Sequence, residues 1–130
     1  MVYLKTLIII LIYITQNNYI HIDPLVAYNQ LKTNDDIILI DVRTEEEIKL
    51  SKISNSINID FDSESFYDTI LEMDKRKKYF IYCRSGRRST ITVNFMRKNG
   101  FEKSFNVDGG IISWQNKNID LNPKKKANKI

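Results

Sequence analysis

The sequence predicts an α/β fold: a single domain with a central parallel sheet and helices on both faces. Three observations point there. Short apolar runs alternate with stretches of helical spacing, the pattern of strands joined by crossover helices. Two of those runs, "IILID" (37–41) and "YFIY" (79–82), are almost continuously apolar, as strands buried on both faces are. At 130 residues the chain is long enough for one core, and no internal repeat divides it.

In chain order, "MVYLKTLIIILIYITQNN" opens with one lysine and an unbroken apolar run at 7–14. The run is too short to span a bilayer, which takes about 20 residues. A short basic region before an apolar stretch of this length looks like an export signal, cleaved or retained as an anchor. No A-x-A-type site follows it, and a buried strand would read the same way. The expected division is 1–18 as signal peptide or N-terminal anchor, 19–121 as the folded domain and 122–130 as a basic tail. That places the protein in the periplasm or cell envelope, with the cytoplasm as the alternative.

In "HIDPLVAYNQLKTND" Asp23 is the expected helix cap and Pro24 the first-turn residue, with Leu25, Tyr28 and Leu31 on one face. After strand 37–41, "TEEEIKL" (44–50) places a Thr cap ahead of first-turn acids. "ISNSINID" (53–60) alternates as a strand, and "DSESFYDTILEMDKRKK" (62–78) carries Phe66, Ile70 and Met73 at helical spacing. Strand 79–82 leads into a loop and a helix from about Ser89. Ile91, Phe95 and Met96 share a face of that helix, and Gly100 stands just past its end. "SFNV" (104–107) is the last strand. "DGGIISWQNKN" turns into a short helix, with Trp114 as a core residue.

The formal charge of +4 concentrates in "DKRKK" and in the tail "NPKKKANKI", two solvated clusters. No basic–aromatic interleaving marks a nucleic-acid binder, so no nucleic-acid partner is expected. One cysteine and one histidine exclude a structural zinc site and an intramolecular disulfide. No metal or cofactor is expected.

The chemistry concentrates in "YFIYCRSGRRST". Cys83 follows a buried strand at its carboxyl end, where ligands of parallel sheets sit, and so do Asp41 and Arg43. A lone cysteine is usually a small buried hydrophobe. Here Arg84, Arg87 and Arg88 and a turn at Gly86 surround it, and the amides opening the next helix lack intrahelical partners. Both features favour the thiolate, so Cys83 is expected to have a depressed pKa and to act as a nucleophile.

The alternatives differ in what else they need. A cysteine protease needs a histidine base, and the single His21 reads as a surface residue. A phosphatase loop of the C-x5-R kind needs an arginine where this chain has Ser89. A disulfide oxidoreductase needs a second cysteine. What survives is a thiolate attacking a sulfur that carries an anionic leaving group.

These residues resemble the rhodanese family of sulfurtransferases. "CRSGRRS" is similar to the active-site loop of its single-domain members. "IILIDVRTEEEI" resembles the segment with the D-V-R signature, and "GFEKSFNVDGGIISW" the segment in which a glycine pair precedes a helix with Trp. The likeness runs from about Ile22 to Ile119.

The resemblance implies a five-stranded parallel sheet and transfer of sulfane sulfur through a Cys83 persulfide. The amides of Arg84, Ser85, Gly86, Arg87, Arg88 and Ser89 would cradle the persulfide. Arg84, Arg87 and Arg88 would orient a small anionic donor such as thiosulfate. Cyanide, a thiol or a protein would accept the sulfur, and Asp41 and Arg43 would brace the loop. A non-catalytic rhodanese-like regulatory module is the alternative, although such members commonly lack the cysteine. A phosphatase or arsenate reductase on the same fold ranks lower. One departure stands out: Ser51, Lys52, Ser54 and Asn55 replace the family's usual Gly, His, Pro and Gly.

Overall fold

The computed structural model describes residues 1–17 and 19–124. Five strands form one sheet in the order β1-β5-β4-β2-β3, and every neighbouring pair is parallel. The strands are β1 (His21–Ile22), β2 (Ile37–Asp41), β3 (Ile57–Asn58), β4 (Lys78–Tyr82) and β5 (Ser104–Val107). The helices are α1 (Val2–Asn17), α2 (Pro24–Thr33), α3 (Glu45–Leu50), α4 (Phe66–Leu71), α5 (Arg87–Lys98) and α6 (Gly110–Asn116).

Alternation along the central strands sends side chains into two cores, one on each face. Leu39, Phe80 and Tyr82 join Ala27 and Leu31 of α2 and Trp114 of α6. Ile40, Ile81 and Cys83 join Phe66 and Ile70 of α4 and Val93 and Met96 of α5. Both cores are needed because a parallel sheet has no face it can leave to water.

Several elements start and stop as their chemistry dictates. Asp23 caps α2 by accepting from the amides of Leu25 and Val26, with Pro24 in the first turn. Thr44 and Glu47 form a reciprocal capping box on α3. Gly100, at φ +90°, follows the end of α5. Trp114 is fully buried and donates its indole N–H to the Asp120 carbonyl.

Elsewhere tertiary packing overrides the sequence pattern. The buried face of α2 is Pro24, Ala27 and Leu31, while Leu25 is exposed. On α5 the buried face is Ser89, Thr92, Val93 and Met96, and Ile91 is exposed. That helix also begins at Arg87 rather than Ser89. Helix α4 ends at Leu71, because Asp74 bonds the amide and guanidinium of Arg76 and turns the chain before Lys78 enters β4. The expected strand 53–60 contracts to Ile57–Asn58. Ile53 is buried ahead of a turn in which Asn55 takes φ +63°. Asparagine tolerates that left-handed conformation better than most residues other than glycine.

Helix α1 removes the strand reading of the N-terminal apolar run; Leu7, Ile9 and Leu11 on it are exposed. No helix among the described residues is long and apolar enough to cross a membrane. In the basic tail, Pro123 is buried and Lys124 pairs with Asp35, while 125–130 lie outside the described residues.

At the carboxyl end of β2, Asp41 and Arg43 are both buried. The Arg43 guanidinium makes two bonds to Asp41 Oδ2 and one to Oδ1, and the Arg43 amide adds a second to Oδ1. Arg43 also donates to the Ser51 carbonyl at 2.8 Å, fastening the far end of α3. Asp41→Ala strands a buried guanidinium and should cost about 3–5 kcal/mol in urea denaturation. The double replacement Asp41→Leu, Arg43→Met should recover most of that loss, since apolar residues of similar volume often substitute for a buried pair.

Candidate active site

Cys83 lies one residue beyond β4 and is 1% exposed, among the apolar residues that face α4 and α5. It is therefore as buried as an ordinary core cysteine, but its sulfur is not in an apolar setting. The Gly86 amide reaches Sγ at 3.1 Å and the Ser89 hydroxyl at 3.3 Å. Burial pushes the Cys83 thiol up. Hydrogen bonds from the Ser89 hydroxyl and from the amides of Ser89, Gly86 and Ser85 outweigh burial and hold it below its ordinary value. The direction agrees with the one expected from sequence, with amides and one hydroxyl as its main source.

The loop's shape depends on glycines at left-handed φ. Gly86, at +106°, caps α5 and accepts the Thr90 amide. Gly110, at +61°, opens α6 directly against the loop: a Cβ there would stand 2.5 Å from the Cys83 carbonyl oxygen. That close approach lets the amides of Ile111 and Ile112 donate to the carbonyls of Cys83 and Arg84, at 2.9 and 3.2 Å. Gly110 of "DGGIISW" thus lets α6 clamp the Cys83 loop from behind.

The three arginines divide into two kinds. Arg84 and Arg87 are exposed, with Ser85, and neither forms an ion pair among the described residues. Arg88 is instead gripped by Glu47 of α3 through paired contacts of 2.9 and 2.8 Å. Its guanidinium is engaged in fastening α3 to the start of α5, which leaves Arg84 and Arg87 as the exposed cations of the loop.

The sequence-predicted residues 83–89 form the loop 83–86 and the first turn of α5. Asp41 and Arg43 touch none of them through side-chain bonds. Their influence is relayed: Arg43 lies over the Tyr82 ring and bonds the Glu47 carbonyl at 3.5 Å, and the Val42 amide bonds the Tyr82 carbonyl. Pattern reading did not mark Glu47, Asn106 or His21. Asn106 is 1% exposed, accepts from Ser89 Oγ at 2.6 Å and meets His21 Nδ1 at 2.9 Å. The available signal for Asn106 was a polar residue set between Phe105 and Val107 in a short strand. His21, expected on the surface, is half-buried on edge strand β1.

Residues 24–117 match the rhodanese-like domain family, and the chain belongs to it. The fold agrees: a rhodanese-related protein from Thermoplasma volcanium superposes with a TM-score of 0.69 at 29% identity, covering 78% of this chain and 96% of that one. Among curated relatives, the Bacillus subtilis protein YtwF, which carries a sulfurtransferase name, is 31% identical over 66% of this chain and 81% of its own. A tRNA uridine(34) hydroxylase of Cytophaga hutchinsonii is also 31% identical, over 72% of this chain. The chain spans only 31% of that hydroxylase's length.

Glu47 is held down from 4.5 to about 2, chiefly by its bonds to Arg88. A depressed carboxyl contributes stability that is complete above its unfolded value and lost as pH falls through the folded one. Thermal unfolding of the parent and of Glu47→Gln should therefore differ by on the order of 1–2 kcal/mol near neutrality, after allowance for partial exposure. The two curves should converge as pH drops from about 4.5 towards 2.

Proposed function

We propose that this protein is a sulfurtransferase that carries sulfane sulfur on Cys83. The observation that carries the reading is a buried sulfur receiving the Gly86 amide and the Ser89 hydroxyl within one compact loop. The Gly86 amide is already aimed at sulfur and stabilises an anion there without reorganisation, whether it resides on Sγ or is shared with a terminal sulfur. The Ser89 hydroxyl can add its proton once the thiol is ionised.

In the first step the Cys83 thiolate attacks the outer sulfur of an anionic donor such as thiosulfate. The Sγ–S bond forms, the donor's S–S bond breaks, and sulfite leaves with the bonding pair. In the second step cyanide, a thiol or a sulfur-accepting protein attacks the terminal sulfur. The Sγ–S bond then breaks and returns the electron pair to Cys83. Arg84 and Arg87 draw the donor's charge to the loop, and no proton need move in either step with an ionised thiol.

Intact mass after incubation with thiosulfate, without reductant, should rise by one sulfur atom. The gain should vanish in Cys83→Ser and on adding cyanide. An unchanged mass in the parent protein would overturn the reading, and release of p-nitrophenol from its phosphate ester would favour the phosphatase alternative.

Export is proposed on a separate basis. One lysine precedes the apolar run at 7–14, and the side chains of that run are exposed on α1. Residues 1–18 then serve as a signal or, where retained, as an anchor to a membrane. N-terminal sequencing of native protein from the cell-envelope fraction should begin near residue 19 or show an anchored Met1. Intact Met1 on protein from the cytosolic fraction would overturn it.

A further inference from the structure

We infer that Asn106, held by His21, is a positioning residue that sets the direction of the Ser89 hydroxyl proton and thereby the readiness of Cys83 to ionise. This rests on the reading of Cys83 as the nucleophile. Four groups stand in an unbroken line from the site to the sheet edge: Cys83 Sγ, Ser89 Oγ, the Asn106 amide and His21 Nδ1, separated by 3.3, 2.6 and 2.9 Å. Cys83, Ser89 and Asn106 are each at most 1% exposed. Water therefore cannot make up for a bond the line leaves unmade.

A serine hydroxyl has one proton and cannot give it to Asn106 and to sulfur together. The short separation to Asn106 Oδ1 commits the proton there. The Asn106 Nδ2–H then points at His21 Nδ1, which must be the bare nitrogen. In that polarity Ser89 offers sulfur only lone pairs, which suits a protonated thiol donating S–H to Ser89.

Once the thiol loses its proton, sulfur needs the Ser89 proton instead. Asn106 Oδ1 would then face an oxygen with nothing to share, a buried and costly arrangement. Turning the amide end for end removes the conflict. Nδ2–H now donates to Ser89 Oγ, and Oδ1 accepts from a protonated His21 Nδ1. The whole line reverses direction, with covalent change only at its two ends. The S–H bond is lost as the thiol gives its proton to solvent. An Nδ1–H bond forms as the half-buried His21 ring takes a proton from solvent or moves its own from Nε2. An imidazolium can only donate, so it fits the thiolate polarity alone.

His21 is well placed to take either role. It sits on β1 opposite Asn106 of β5, with the Tyr19 ring edge-on at 6.2 Å. Asp23 and Lys78 line the same surface hollow, and each has its own partner, Lys117 and Gln30. Arg97 of α5 donates to the carbonyls of Tyr19 and Ser104. Asp108 follows β5, and its amide bonds the Ile22 carbonyl.

The test is the pH titration of the Cys83 thiolate by its ultraviolet absorbance in the full chain, with Cys83→Ser as the blank. His21→Phe should raise the midpoint by about half a pH unit, the scale of one modest hydrogen bond. His21→Asn, whose amide can donate or accept near the position of Nδ1, should restore most of the shift. In a Ser89→Ala background the same His21→Phe change should move nothing, because the line is already cut. An unchanged midpoint in His21→Phe overturns the inference. So does an equal shift with and without Ser89, which would mark a charge acting through space. None of these titrations uses a sulfur donor, so a failure of the thiosulfate experiment and a failure here are separately visible.

Discussion

The amides of Ile111 and Ile112 hold the carbonyls of Cys83 and Arg84, and the arrangement of the site follows from that backbone clamp. With its carbonyls drawn back towards α6, the loop is free to aim the Gly86 amide inward at the sulfur. The clamp requires the first residue of α6 to approach the loop more closely than any Cβ permits, which is why Gly110 stands there. Two helices are thereby joined through one turn: α5 begins where the loop ends, and α6 grips the loop from the opposite face of the sheet.

Cys83 illustrates a contest between burial and hydrogen bonding. Removing the thiol from water disfavours its ionisation, and among apolar neighbours alone it would behave as an inert core residue. Several donors from one short loop reverse the outcome. The same burial that penalises the charge also keeps water from competing for those donors. A second contest concerns the arginines. A carboxylate from α3 claims Arg88, so positive charge near the loop is divided between an architectural pair and the exposed Arg84 and Arg87.

Much of this was legible in sequence. The strands "IILID" and "YFIY", the caps at Asp23 and Thr44 and the end of α5 before Gly100 follow from local pattern, because each is decided by neighbouring residues. On α2 and α5 the faces hold for Tyr28, Leu31, Phe95 and Met96 and fail at Leu25 and Ile91, because apolar spacing ranks those two above Ala27 and Ser89. The sheet buries whichever residues point at it. Strand β1 is only two residues long and carries no periodicity to detect. Its existence depends on β5 offering a free edge, as the bonds of Asn106 and Asp108 to Ile20 and Ile22 show.

The sequence by itself determined the α/β alternation, the one cysteine that can serve as a candidate nucleophile and the residues that surround it, because strand, turn and helix onset are contiguous there. Tertiary structure alone decided which side chains act on that loop from afar. Glu47 reaches Arg88 across 41 positions, Asn106 reaches Ser89 across 17 and His21 reaches Asn106 across 85. A parallel sheet aligns strand ends that are distant in the chain, and no local pattern of residues records which of them will meet.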